Sequence, residues 1–121
     1  MKNQLLVYLF ILTSCSAPNK LNTVNIDEIS SYGTDANQAE FCSDFQLNKE
    51  QANSFFQKAK QVSFKKLHDQ FDYLPCFVRG KATIKNESCD WEIRAGGTGE
   101  LICGSKVQYW ACDNCNLLFG G

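Results

Sequence analysis

Cysteine is the residue type in this chain with the clearest capacity for chemistry. The sequence contains seven cysteines, and the closest pair, Cys112 and Cys115, is separated by only two residues. Thiol–disulfide oxidoreductases share this spacing, but they activate a thiol at the start of a helix within a βαβ unit. Here the pair follows a strand pattern near the chain end, and Asp113 between the thiols disfavours a thiolate. The pattern favours a structural disulfide, with a redox site as the alternative.

Zinc is the second chemistry that closely spaced cysteines can support. Structural zinc sites usually combine two ligand pairs, whereas this chain has one CxxC pair and a single histidine, His68. His68 and Asp69 form the only adjacent His–acid pair, and they lie in a polar stretch. We therefore expect no metal, no other cofactor and no enzymatic activity.

The N-terminal residues predict export and membrane attachment. Lys2 precedes an unbroken apolar run over residues 5–12, which as a helix spans about 12 Å, far less than the ~30 Å hydrocarbon core. A signal peptide over residues 1–14 fits this length better than a transmembrane span. The run ends in Leu12-Thr13-Ser14-Cys15, which resembles the lipobox of bacterial lipoproteins.

That resemblance covers the N-terminal stretch alone and implies that Cys15 becomes the first residue of the mature chain and carries fatty acids. Ser16 after the lipidated cysteine implies the periplasmic face of the outer membrane in a Gram-negative host. Two or three acyl chains hold a protein firmly at a bilayer, whereas one holds it marginally. Ordinary signal cleavage, for instance after Ala17, is the alternative and gives a soluble secreted protein.

The remaining six cysteines agree with an oxidising compartment. An even number of cysteines in a small exported domain predicts a disulfide framework; these are Cys42, Cys76, Cys89, Cys103, Cys112 and Cys115. Roughly eighty residues are too few for a large core without cross-links. Among fifteen connectivities we favour Cys42–Cys76, Cys89–Cys103 and Cys112–Cys115.

Composition divides the mature chain into two parts. Residues 15–40 are polar and predict a lipidated tether, although Val24, Ile26 and Ile29 could instead form an edge strand. Residues 41–121 predict one globular domain. Residues 49–85 contain eight basic and three acidic residues, a balance that suits a solvated face or an anionic partner. Nothing resembles a nucleic-acid module.

One helix is predicted over residues 49–62. Asn48 and Gln51 have the spacing of a capping box, and the apolar residues Ala52, Phe55, Phe56 and Ala59 recur at helical spacing.

Alternation predicts two hairpins. Residues 76–84 and 89–95 alternate with period two around a turn at 85–88. Glycines at 96–99 then precede a third alternating run from Leu101 to Tyr109. If the inner faces of the paired strands stay aligned, Cys89 lies directly across from Cys103 or diagonal to it.

The predicted register also defines a candidate partner contact. Pairing Ile84 with Cys89 sets Lys81 opposite Glu92 and Arg79 opposite Arg94. Two facing arginines are unfavourable unless an anion lies there or the strands splay. We therefore take Arg79, Lys81 and Arg94 as the candidate contact residues.

Together these patterns predict an α+β domain with one amphipathic helix packed on an antiparallel sheet of about three strands, stapled by disulfides. The expected function is a non-enzymatic binding module in the cell envelope, held to the membrane by acyl chains and meeting a periplasmic protein. An immunity or inhibitor protein against a periplasmic toxin, and a thiol-redox protein using the CxxC pair, are the alternatives.

Overall fold

A computed structural model describes residues 23–34, 42–72 and 74–115. Across these residues the chain forms a six-stranded antiparallel sheet, with strand order β1-β3-β4-β5-β6-β2. The elements are β1 (Asn25–Thr34), α1 (Lys49–Lys58), β2 (Lys60–Val62), α2 (Phe64–Gln70), β3 (Cys76–Ile84), β4 (Glu87–Arg94), β5 (Thr98–Cys103) and β6 (Lys106–Ala111). The predicted signal peptide, Cys15 and Ser16 lie outside the described residues.

The expected architecture of one helix on about three strands is wrong. Six strands and two short helices are present in the described part of the chain. Three sources account for the difference. Residues 25–34 of the predicted tether form edge strand β1, residues 60–62 form the opposite edge strand β2, and the third alternating run is divided between β5 and β6.

Helix α1 begins where its cap residue predicts. The Asn48 side chain accepts from the backbone N–H of Gln51, and the Gln51 side chain accepts from the backbone N–H of Asn48, both at 2.8 Å. The predicted extension to Val62 is wrong, because Ala59 is extended and residues 60–62 pair with β6. Strand pairing outcompetes the last helical turn.

The inner face of the sheet is the face that α1 covers. Trp91, Ile93 and Leu101 are buried there in one cluster with Phe55 and Phe56. Gly99 permits this close packing, since a Cβ atom at that position would lie 2.8 Å from the Phe55 ring. Burial of these large apolar side chains is the main stabilising contribution of the fold.

The outer face of the sheet carries α2 near β6. The rings of Phe64 and Tyr109 lie 5.2 Å apart, and Leu67 is buried. Ser63 caps α2 by accepting from the backbone N–H of Lys66. This helix was not predicted because its seven residues, about two turns, carry one buried apolar side chain, too few to define a helical stripe.

The β3–β4 hairpin has a tighter turn than predicted. Lys85 and Asn86 form a two-residue turn with φ of 52° and 68°, the backbone signs of a type I′ turn. Ile84 therefore pairs with Glu87 instead of Cys89. A register shift of two residues keeps every side chain on its predicted face but changes every cross-strand partner.

The new register removes the predicted arginine clash. Arg79 lies opposite Glu92, Lys81 lies opposite Asp90, and Arg94 lies opposite Phe77. Opposite charges therefore face each other across β3 and β4, which stabilises this pairing.

The third alternating run is interrupted at Gly104. This residue has a φ of 64°, and Cys103 pairs with Lys106 across the turn. The interruption changes the face of everything after it, so Gln108 and Trp110 join the inner face instead of Val107 and Tyr109.

Three disulfides connect the elements, and they are the three predicted pairs. Cys42–Cys76 ties the segment before α1 to β3, Cys89–Cys103 bridges β4 and β5, and Cys112–Cys115 closes the segment after β6.

Candidate functional site

The candidate contact residues lie on the outer face, but only two of them are accessible. Arg94 is 3% exposed, and its guanidinium donates to Glu92 at 2.8 Å and to the backbone carbonyl of Leu74 at 3.0 Å. Arg94 therefore does not contribute to a contact surface, contrary to the sequence-based prediction. The residues after α2 cover it, which strand alternation cannot reveal.

Arg79 and Lys81 are exposed but already paired. Arg79 donates to Glu92 at 2.8 Å and stacks its guanidinium 3.8 Å from the centre of the Phe77 ring. Lys81 pairs with Asp90. The outer face thus presents alternating positive and negative side chains, which compensate each other instead of forming a patch of one sign.

Glu100 is the titratable group of this face with a displaced pKa. It lies directly across from Glu92 on the neighbouring strand. Burial raises the pKa of Glu100, and the Glu92 charge raises it further, while Arg94, Arg79 and His68 act in the opposite direction. The ionised form of this carboxyl group is therefore less stable here than it is in water.

The CxxC pair lies in an enclosed position. Cys112 is 6% exposed and Cys115 is 2% exposed, and the backbone N–H of Cys112 donates to Gly97 at 2.8 Å. The pair follows β6 without an intervening helix. Disulfide exchange needs a thiolate to reach one of the sulfur atoms, so this arrangement suits a structural cross-link.

A groove lies on the part of the inner face beyond α1, and we call it the inner groove. Its volume is about 410 Å³. It is lined by Gln61, Ile84, Lys85, Glu87, Cys103, Lys106, Gln108 and Trp110. The lining therefore comes from Lys85 in the β3–β4 turn, from the adjoining ends of β3, β4 and β5, and from β6 and the edge strand β2.

The inner groove exists because α1 is too short to cover the sheet. Phe55 and Phe56 cover the half of the inner face near Leu101 and Trp91. Trp110 lies between the covered and the open half, with its ring 5.5 Å from that of Phe56. Beyond Trp110 the floor of the groove carries the Cys89–Cys103 bridge and polar side chains.

Trp110 gives the inner groove its most distinctive chemical feature. The indole Nε1 of Trp110 is buried and has no hydrogen-bond acceptor among the described residues. In contrast, the indole Nε1 of Trp91 donates to the backbone carbonyl of Lys81 at 3.0 Å. A buried donor without a partner costs about 1–3 kcal/mol. An acceptor that reaches the Trp110 N–H therefore removes this cost and stabilises the complex.

Two glutamines and three charged residues line the groove together with Trp110. Gln61 is exposed and lies directly opposite Trp110 in the register. Gln108 follows on the same face of β6, and each amide offers both donors and an acceptor. Lys85, Lys106 and Glu87 complete the polar lining, which leaves one positive charge in excess.

The sequence analysis missed the inner groove because it assigned Val107 and Tyr109 to the inner face. The Gly104-Ser105 dipeptide is a turn signal that could have divided the third alternating run. With that turn, Lys106, Gln108 and Trp110 become inward-facing, and an inner face with polar residues becomes visible in the sequence.

Comparison with protein-family models, with curated proteins and with solved structures finds no match for this chain. Within the described ranges, no helix has the length and apolar character needed to cross a membrane. The same residues include no cluster of three or more side chains suited to hold a metal ion.

Proposed function

We propose that this protein is a lipid-anchored, non-enzymatic binding module of the cell envelope, and that its ligand occupies the inner groove. The anchor is Cys15, on the strength of the lipobox resemblance and the short apolar run before it. The acyl chains hold the protein at the outer membrane and the folded domain faces the periplasm. Its partner is a periplasmic molecule and not a nucleic acid.

The observation that carries this proposal is the unsatisfied indole N–H of Trp110 beside an uncovered part of the sheet. Buried polar groups in native proteins almost always have partners, so an exception calls for a functional reason. A ligand acceptor at Trp110 supplies the missing partner.

The construction of the groove also favours binding. Its floor is a sheet whose neighbouring strands β4 and β5 are joined by the Cys89–Cys103 disulfide. A rigid site loses little conformational entropy when it binds, and this preserves affinity. Among the groove's lining residues the titratable groups are two lysines and one carboxylate, Glu87. A lone carboxylate with amides suits recognition better than acid–base chemistry.

Site-specific photo-crosslinking in cells tests whether the groove is occupied. A photoreactive phenylalanine analogue replaces Gln108 in the full chain, and a matched protein carries it at Gln70, which is exposed on α2. We expect a covalent adduct at position 108 and none at position 70, with intact mass identifying the class of the captured molecule. Equal labelling at both positions, or none at either, contradicts the proposed site.

Membrane fractionation tests the anchor separately. We expect the full chain in the membrane fraction, with a mass increase on Cys15 that corresponds to acylation. The variant Cys15→Ser should move to the soluble periplasmic fraction. An unmodified Cys15 in protein taken from cells contradicts the anchor without affecting the groove.

A further inference from the structure

We infer that the inner groove binds an acidic oligosaccharide, through side chains alone, with a sugar oxygen accepting from Trp110 and a sugar carboxylate near Lys85 and Lys106. This inference rests on the proposed function, because it names the ligand class of the same groove. Four features of the groove support it: the polarity of the lining, the pairing of the strands beneath it, the unsatisfied Trp110 donor and the charged side chains of the lining.

The lining is too polar for a lipid or an apolar ligand. Five of its eight residues have charged or amide side chains, and Ile84, Cys103 and Trp110 provide the apolar remainder. Small-molecule pockets are usually mostly apolar, with a few polar groups that fix orientation. The reversed proportion here suits a ligand covered with hydroxyl groups, for which planar amides and an indole N–H offer many hydrogen bonds.

The strands below the groove cannot recruit an extended peptide. β5 pairs with β4 on one side and β6 on the other, and β6 pairs with β5 and β2. Their backbone groups are therefore engaged, whereas peptide recognition by strand addition needs a free sheet edge. The edge strand β2 also borders the groove, but it has only three residues, fewer than the roughly five or six of a usual strand. A ligand on this face meets side chains only, and side-chain amides suit a sugar better than a peptide backbone.

Trp110 is accessible to such a ligand after one local rearrangement. Its N–H is shielded in the free protein, and its cross-strand neighbour is the exposed side chain of Gln61 on a three-residue edge strand. Exposed side chains change rotamer in picoseconds to nanoseconds. Binding requires Gln61 or another neighbour of the indole to move, so that a hydroxyl or acetamido oxygen can satisfy the donor.

The charges select an anion. Lys85 lies in the β3–β4 turn, Lys106 is the first residue of β6 after the β5–β6 turn, and Glu87 is the single acidic residue in the lining. An excess of one positive charge favours a ligand with a carboxylate. The volume lies at the small end for ligand pockets and accommodates roughly one or two sugar rings. An N-acetylated amino sugar with a lactyl carboxylate has all of these groups.

The two tryptophans of the chain allow a direct test by nuclear magnetic resonance. The protein is the ¹⁵N-labelled mature chain with Cys15→Ser, recovered from the periplasm with its disulfides formed. It should give two indole N–H signals, and Trp110→Phe identifies which belongs to Trp110. Trp91 is the internal control, because its indole already donates to Lys81.

Three probes are titrated into this protein. They are the disaccharide of N-acetylglucosamine and N-acetylmuramic acid, its neutral counterpart N,N′-diacetylchitobiose, and triglycine, which has amides and a carboxylate without a sugar ring. We expect the acidic disaccharide to shift the Trp110 signal saturably and to leave Trp91 unchanged. The neutral disaccharide should bind about two- to fivefold more weakly, because an exposed ion pair contributes modestly.

Variants distinguish the groove from other surfaces. Gln108→Ala should weaken binding of the acidic disaccharide, whereas Gln70→Ala on α2 should not. Lys106→Gln should reduce the difference between the acidic and the neutral disaccharide. Each variant must retain the wild-type amide spectrum outside the groove.

The outcomes separate the ligand class from the proposed site. If triglycine shifts Trp110 and neither saccharide does, the saccharide inference is overturned and the binding groove stands. If no probe shifts Trp110 while photo-crosslinking at position 108 captures another class of molecule, the same conclusion holds. If no probe shifts Trp110 and position 108 captures nothing, both proposals fail.

Discussion

Arg94 and Arg79 share one carboxylate but differ in environment. Glu92 accepts from both at 2.8 Å, and the exposed fraction of the side chain is 4% for Arg94 and 48% for Arg79. Loss of Arg94 leaves the Leu74 carbonyl without this donor and Glu92 with only the exposed Arg79 as a partner, and removal of one partner of a buried ion pair costs about 3–5 kcal/mol. Exposed pairs contribute about 1 kcal/mol or less.

We therefore predict that Arg94→Gln lowers the free energy of unfolding by about 3 kcal/mol, and that Arg79→Gln lowers it by no more than about 1 kcal/mol. Urea denaturation of both variants under oxidising conditions provides the measurement. Arg79→Gln is the matched control, since it removes the same charge from the same partner. Equal losses in the two variants would show that the burial of Arg94 has no energetic consequence.

Substitution of Glu100 is expected to stabilise the protein, in contrast to substitution of Arg94 or Arg79. Burial and then the Glu92 charge raise the pKa of Glu100 above its ordinary value of 4.5. The native state thus binds this proton more tightly than the unfolded state does. The stability contributed by Glu100 is greatest below the unfolded pKa and falls as the pH rises through the window up to the folded pKa. Above that window the ionised group destabilises the native state.

We expect Glu100→Gln to raise the free energy of unfolding at pH 7, with a gain that shrinks as the pH falls through the raised folded pKa and is largely lost below the ordinary value of 4.5. Thermal denaturation from pH 3 to pH 8 measures this difference. Glu92→Gln is the comparison, because it removes the negative charge and one of the two oxygens that accept from the arginines, and it should destabilise the protein at pH 7. A constant effect of Glu100→Gln across this pH range would contradict the raised pKa.

Strand alternation predicted which of the outer-face residues share a surface, but not their partners or their burial. Arg79, Lys81 and Arg94 do lie on one face, as period two requires. The residues that follow α2 bury Arg94, and a segment without a repeating pattern gives no such warning in the sequence.

At the scale of the elements, the β3–β4 turn shows how one unusual backbone conformation sets a register. Lys85 and Asn86 both have positive φ, and type I′ turns strongly favour glycine at the second position. Here the second position is Asn86 and the first is a lysine, so the two-residue turn was not recognised and four polar residues were predicted to form the loop. Helix α1, in contrast, began as predicted because its cap and its apolar spacing are local.

Asn86→Gly should stabilise the protein by relieving the left-handed conformation, which asparagine tolerates and glycine adopts freely. We expect an increase of roughly 0.5 kcal/mol in the free energy of unfolding, small because glycine also gains entropy in the unfolded chain. Ser88→Gly is the control, since Ser88 lies in β4, where glycine weakens a strand. Urea midpoints measure both, and a destabilised Asn86→Gly protein would contradict the turn.

At the scale of the whole molecule, the disulfides could be predicted and the groove could not. The pairing of cysteines depends on which strands lie next to each other. Strand alternation and the order of the elements along the chain were enough to predict these neighbours. The inner groove depends on where α1 stops and on the face that Trp110 occupies. The end of α1 results from tertiary competition, because β2 pairs with β6. The face of Trp110 results from the tight turn at Gly104, a local signal that was present in the sequence but was not used.

The cross-links should also determine whether the molecule stays folded. In the chain-entropy model, separations of 34, 14 and 3 residues correspond to about 4, 3 and 2 kcal/mol. The total is comparable with the whole free energy of unfolding of a small domain, about 5–15 kcal/mol. The domain should consequently lose its fold once all three bridges are reduced.

We predict that removing bridges one at a time, by alanine at both cysteines, destabilises the protein in the order Cys42–Cys76, then Cys89–Cys103, then Cys112–Cys115. Urea denaturation with the other two bridges intact measures this order.

The redox alternative predicts a different result under mild reduction, because a functional CxxC pair must open while the fold persists. Since Cys112 and Cys115 are buried, we expect dithiothreitol to expose their thiols only when the protein unfolds. Alkylation of the free thiols followed by mass spectrometry measures this. Selective alkylation of these two cysteines in folded protein would favour the redox function over the structural one.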